Sequence, residues 1–217
     1  RASRGQALHG PFEEESFSDL PETHYTLLVQ EVNRHVPEVS ELMDRFRFIP
    51  NWRVDDVMVS YAAKHGGVGP HVDSYDVFLL QGRGKRRWSI SHKPIRAGEE
   101  ELVPEINVRV LSGDFTPDEE WELSPGDVLY VPPHVPHWGV ALDDECMTYS
   151  IGFRAPCIAD TIAEYAQFVT DQMDPQKLIE DPDLKLQSDP GYLSDEAVEE
   201  MWGHVRNALT EGDAKRA

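Results

Sequence analysis

Only two cysteines, Cys146 and Cys157, occur in the 217 residues. That is too few for a disulfide framework, and a reducing cytoplasm is the setting they imply. No run of about 18 apolar residues and no charged-then-apolar leader is present, so neither a membrane span nor a targeting segment is expected. Cations are scarce: 20 Lys and Arg stand against 40 Asp and Glu, a formal charge of -20. An acidic surface repels phosphate, which argues against direct nucleic-acid binding by this segment. It suits a basic partner, and it equally suits a surface whose charge only keeps the protein in solution. Internal repeats and low-complexity tracts are also absent. The length allows one well-buried domain, with or without a smaller appendage. The chain starts at Arg1 rather than Met, so an N-terminally incomplete first domain is expected.

Residues 1–20 are polar and read as an irregular lead-in. Across residues 24–46 apolar side chains, among them Leu27, Leu28, Val32, Val36, Val39 and Met43, recur at helical spacing, and Pro37 is expected to divide them into two helices. After Pro50 the period changes. Residues 54–62 alternate between an oily face (Val57, Val59, Tyr61) and a mixed face of smaller groups (Asp56, Met58, Ser60, Ala62), which predicts a strand. Further strands are predicted over residues 77–80, 86–90, 107–111, 120–123, 128–131 and 147–153, separated by Gly, Pro and Asp. Many short strands at this spacing fit two antiparallel sheets of a jelly roll. In the last strand Met147, Tyr149, Ile151 and Phe153 are bulky, whereas Cys146, Thr148, Ser150 and Gly152 are small. Small side chains facing inward leave a cavity rather than fill it. Helical spacing returns over residues 158–173, residues 181–192 read as a linker, and residues 195–209 read as a last helix. The break near Pro156 sets the expected domains, residues 1–156 and 157–217.

The residues that carry chemistry are His71, Asp73 and His137. His71 and Asp73 are alternate residues of an extended segment that follows a glycine-rich turn, so both side chains can reach one point. His137 follows a strand that ends in Pro132 and Pro133, a stiff exit able to hold an imidazole in place. His134 competes for the same role, but directly after Pro133 it is expected to face solvent. Two imidazoles and one carboxylate hold a divalent iron on one face and leave the opposite positions open. The competing reading is two surface histidines and an unrelated aspartate. An iron of this kind takes a keto acid such as 2-oxoglutarate and then dioxygen. The far carboxylate of that cosubstrate needs a cation, and Arg86, on the same strand face as Trp88, offers a two-pronged contact. Otherwise Arg86 belongs, with Lys85 and Arg87, to a solvated basic strand end. Asp56 shares the cavity face with Ser60. It meets either a substrate cation or, the slightly favoured reading, a neighbouring loop. Tyr75 lines the entrance or packs in the rim.

Residues 67–78 (GVGPHVDSYDVF), 81–88 (QGRGKRRW), 126–133 (GDVLYVPP) and 149–156 (YSIGFRAP), with 27–33 (LLVQEVN) and 52–56 (WRVDD) upstream, resemble the bacterial JmjC-type ribosomal oxygenases. The resemblance spans most of residues 9–156. It implies a mainly β protein with flanking helices: a double-stranded β-helix (a jelly roll, the cupin-like JmjC domain) followed by a helical segment that begins a dimerisation region. It implies iron(II) held by His71, Asp73 and His137, 2-oxoglutarate bound by Arg86 with Ser60 beside it, and dioxygen as oxidant. It further implies an arginine of large-subunit ribosomal protein sixteen as the hydroxylated group, with Asp56, Tyr75 and Ser150 as its contacts. The partner would be that basic ribosomal protein, and the full-length protein would be a homodimer. His134 stands where relatives often have glycine.

Rival readings keep the same iron chemistry but a different target: histidyl hydroxylation, or lysine demethylation or hydroxylation. From another class come a non-catalytic cupin-like binding module and a protein that only docks on the ribosome through its acidic face.

Overall fold

The computed structural model describes residues 7–104, 108–176, 178, 179, 186, 189 and 191–210. It divides into two compact units, Arg1–Ala155 and Pro156–Ala217.

The first unit is built on eight strands, β1 (Thr26–Val29), β2 (Val54–Ala62), β3 (Asp76–Arg83), β4 (Arg86–Ile90), β5 (Glu119–Leu123), β6 (Val128–Val131), β7 (His137–Ala141) and β8 (Cys146–Phe153). They form a five-stranded sheet in the order β1-β2-β8-β3-β6 and a three-stranded sheet in the order β5-β4-β7. Every pairing between named strands is antiparallel. Two packed antiparallel sheets are what the alternating pattern predicts.

Alternation decides which side chains meet. On β3, Val77 and Leu79 turn toward the second sheet and join Trp88, Ile90, Leu123 and Val131 in one buried cluster. Phe78 and Leu80 turn the other way, onto Val57, Ile151 and Phe153, where helix α2 (Pro37–Asp44) adds Val39 and Met43. Full burial of a side chain such as Val77, Leu79, Ile151 or Phe153 contributes roughly 1.5–3 kcal/mol. The small residues of β8 lie on the inner side, as their sizes predict: Thr148 pairs in register with Ser60 on β2 and with Gln81 on β3.

Residues 24–46 depart from the expected pair of helices. Thr26–Val29 is a strand paired with β2, a 3-10 turn covers Val32–Arg34, and only Pro37–Asp44 is α-helical. The Leu27-Leu28-Val29 run satisfies either period, and pairing with β2 (Thr26 opposite Ala62) wins. Glu31, at φ 55, turns the chain out of the strand. Pro37 opens α2 instead of dividing two helices, because the first helical position needs no N–H donor. In the expected lead-in, Glu14–Ser18 forms a short helix, α1. The strand predicted over residues 107–111 is replaced by single bridges, His71 to Val110 and Leu102 to Leu111; Asn107 lies outside the described residues.

The second unit contains α3 (Ile158–Asp171) and α4 (Asp195–Thr210), joined by a hydrogen bond from the Tyr165 hydroxyl to the Leu209 carbonyl. Most of the linker predicted over residues 181–192 lies outside the described residues. No helix among the described residues is long and apolar enough to cross a membrane.

Candidate metal centre

His71 and His137 are brought together by the backbone before their side chains act. Each donates its N–H to the other's carbonyl, at 2.9 and 3.0 Å. The ring centroids are therefore only 4.1 Å apart. Asp73, two residues on, places Oδ2 3.5 Å from His137 Nε2. One ligand atom from each of the three residues lies within 4.8 Å of the others, and among the described residues no fourth His, Cys, Asp or Glu joins them.

The tautomers follow from the neighbours. His71 Nδ1 sits 2.9 Å from the Gly69 carbonyl and His137 Nδ1 2.9 Å from the Val135 carbonyl. A carbonyl only accepts, so both Nδ1 atoms carry the proton and both Nε2 lone pairs are free to bind a metal. Burial, and then the charge of His71, push the His137 pKa down to about 3. At neutral pH it is thus a neutral donor. Burial also raises the Asp73 carboxyl, with His71 and Arg109 pulling the other way. A divalent cation would relieve that carboxylate. Two fixed imidazoles, one hard oxygen and a side left open fit a ferrous ion.

His134 does not compete for the site. At φ 62 it adopts the left-handed conformation, and its N–H donates to the Asp73 carbonyl at 2.7 Å, bracing the ligand loop. A position that needs this conformation favours glycine. The same loop is held from the other side by Val72 N–H to the Arg109 carbonyl (3.2 Å), and Arg109 pairs with the Glu100 carboxylate. Glu100 and Arg109 were not singled out from sequence, since nothing local distinguishes them from the other surface charges.

Arg86 is buried, 4% exposed, as is Trp88 on the same face of β4. The solvated strand-end reading therefore fails for Arg86 and holds for Arg87, which is exposed beside Glu122. The guanidinium carbon lies 5.7 Å from the Trp88 ring centroid, and the indole lies 5.8 Å from the His137 ring. Arg86 Nε donates to Cys146 Sγ at 3.3 Å, while Nη2 is buried with no hydrogen-bond partner. Ser60, also buried, donates to the Thr148 carbonyl at 3.4 Å.

The Tyr75 ring and the Asp56 backbone lie against Gly152. A Cβ there would stand 3.5 Å from the Tyr75 ring and 3.8 Å from the Asp56 carbonyl. Ser150 is two residues before it on β8, paired with Met58 and Leu79. Asp56 accepts the Glu31 backbone N–H at 2.8 Å, the loop contact weighed above. Burial raises its pKa, that hydrogen bond opposes the shift, and Asp55 and Glu31 add to it. Tyr75 is held protonated by burial and by the charges of Asp73 and Asp56. Arg154 lies 5.6 Å from the Tyr75 ring centroid and 3.5 Å from Asp55.

A jelly roll with two histidines and an aspartate at its mouth defines a class, and the chain belongs to the JmjC domain family, whose model matches residues 41–161. It is 40% identical over 196 residues to the ribosomal protein uL16 3-hydroxylase of Escherichia coli (strain K12), covering 90% of this chain and 51% of that protein. A Haemophilus influenzae protein named Probable ribosomal oxygenase is 39% identical over 216 residues, 96% of this chain and 52% of its own. The structure of YcfD, a ribosomal oxygenase from Escherichia coli, in complex with cobalt and 2-oxoglutarate, matches with TM-score 0.79 and 34% identity over 99% of this chain and 54% of that one. The chain thus spans about half the length of the curated relatives it matches.

Proposed function

We propose that this chain carries the catalytic domain of a 2-oxoglutarate- and iron(II)-dependent oxygenase that hydroxylates an arginine side chain of large-subunit ribosomal protein sixteen. One observation carries the reading: two histidines with Nδ1 committed to carbonyls converge with Asp73 on one point, and the sheet that carries His137 also carries a buried arginine with an unpartnered nitrogen, Trp88 lying between them. His71, Asp73 and His137 would hold the iron, which supplies activation of dioxygen together with oxidative decarboxylation of the keto acid. The rest falls to the protein's own side chains. Arg86 Nη2 binds the far carboxylate of 2-oxoglutarate, with Ser60 on the neighbouring strand wall. The relatives named for ribosomal-protein oxygenation support the substrate class.

Arginine as the target rests on Asp56. Burial, with the charges of Asp55 and Glu31, raises the pKa of its carboxylate, against the Glu31 backbone N–H and Arg154, which pull it down. A guanidinium pairing with that carboxylate offsets the cost of burial, whereas a neutral side chain does not. The Tyr75 ring and Ser150 complete the contact. Asp56→Asn is expected to raise KM for a ribosomal-protein peptide by roughly 10–100-fold, from the ~1.5–3 kcal/mol of a charged hydrogen bond, without altering 2-oxoglutarate affinity. The whole reading is tested by incubating basic ribosomal-protein peptides with the iron-loaded chain and 2-oxoglutarate and locating the added oxygen by mass spectrometry. Oxygen on arginine is expected. Oxygen on histidine would transfer the reading to a histidyl hydroxylase, and none at all would leave only a binding module.

A ribosomal-protein substrate fits a cytoplasmic setting, and the acidic balance of the chain suits so basic a partner. A homodimer of the full-length protein is supported by the apolar side chains that α3 and α4 leave exposed, Ile158, Ile162, Met201 and Trp202 among them.

A further inference from the structure

Four buried side chains, those of Thr148, Gln81, Cys146 and Arg86, are linked by a run of polar contacts, and Cys146 also packs with Ala62 and Ala141. The Thr148 hydroxyl donates to Gln81 Oε1 at 2.9 Å. That contact fixes the orientation of the Gln81 amide, so its Nε2 donates to the Arg83 carbonyl at 2.7 Å and approaches Cys146 Sγ at 3.5 Å. Cys146 Sγ in turn accepts from Arg86 Nε at 3.3 Å. Gln81 and Cys146 are 0% exposed and Thr148 is 1% exposed. A glutamine in register with Val77 and Leu79, on an apolar strand face, carries a desolvation cost that only a specific contact offsets.

The guanidinium is consequently confined on three sides. Cys146 takes Nε, and the Trp88 ring lies 5.7 Å from the guanidinium carbon. The stem lies so close to Gly139 that an added Cβ there would stand 3.0 Å from Arg86 Cδ. Nη2 is buried and unpartnered. We propose that Cys146, oriented by Gln81 and Thr148, is a positioning residue that fixes the Arg86 guanidinium so that Nη2 is presented to the far carboxylate of the keto acid. The proposal rests on the reading of Arg86 as cosubstrate anchor. Its physical content is preorganisation: an arginine already held in its binding geometry loses less conformational freedom when the carboxylate arrives.

The test is a direct anaerobic titration of the cobalt-loaded chain with 2-oxoglutarate, followed by the cobalt absorption. Cys146→Ala is expected to weaken 2-oxoglutarate binding about tenfold, the size of one lost hydrogen bond to a charged group. Cobalt affinity should stay unchanged. Gln81→Leu should weaken it in the same direction, and Cys146→Ser, which keeps an acceptor, should restore most of the loss. Because Cys146 acts through Arg86, adding Cys146→Ala to Arg86→Met should cause no further weakening. Unchanged binding in both Cys146→Ala and Gln81→Leu would overturn the proposal, and so would losses that simply add in the double variant. If Arg86→Met alone leaves 2-oxoglutarate binding intact, the anchor reading itself fails, which is a separate outcome.

Discussion

Asp73→Ala should abolish hydroxylation while leaving the protein folded. Losing a partner that merely orients a metal ligand costs roughly 10–100-fold, so losing a ligand should cost more than about 100-fold in turnover. The metal-free fold should not suffer. Asp73 is half-buried beside two histidines, no protein cation among the described residues is hydrogen-bonded to it, and burial raises its pKa. At neutral pH an ionised carboxylate in that position weakens the metal-free fold, so removing it leaves the melting temperature level or higher. The measurement is succinate and hydroxylated peptide formed, beside a thermal melt without metal. Conversion of 2-oxoglutarate at the wild-type rate would show that the metal is held elsewhere.

Arg86→Met is expected to raise KM for 2-oxoglutarate roughly 100-fold, since the contact it removes is charge-assisted and shielded from water, worth about 3 kcal/mol. Methionine keeps the buried stem against Gly139 and Trp88, so the loss isolates the charge. Arg86→Lys should recover only part of it, because an ammonium cannot at once donate sideways to Cys146 and forward to a carboxylate as a planar guanidinium does. Metal affinity and the peptide KM should hold in both variants. A parallel loss of metal binding would mean that Arg86 shapes the ligand loop instead.

The β framework was legible because a period of two is a local property. Alternation put Ser60, Thr148 and Ser150 on small-residue faces and Arg86 on one face with Trp88; that this last face is the buried one is a property of the folded sheet. His71, Asp73 and His137 were legible for a similar reason: a glycine turn and a proline-ended strand announce where extended chain stops. Residues 24–46 were misread because Leu27-Leu28-Val29 fits either period, and its partner, β2, lies some 30 residues away in sequence, beyond any local pattern. Gln81 carried a signal that was passed over, a polar side chain in step with Val77 and Leu79. Cys146 was read only as a small side chain. Its contact with Arg86 spans 60 residues and needs β8 registered against β3, with a bulge between Gln81 and Arg83. Glu100 and Arg109 acquire their role from loop closure over the ligand segment, which no periodicity encodes.

The most direct test of the three-ligand centre is the absorption of the cobalt-loaded chain, recorded before and after 2-oxoglutarate. Three protein ligands and an open face require the weak bands of a five- or six-coordinate ion, shifting when the keto acid displaces water, with both features absent in Asp73→Ala. Intense tetrahedral bands indifferent to 2-oxoglutarate would mean a closed fourth protein position, and would contradict an oxygenase centre at His71, Asp73 and His137.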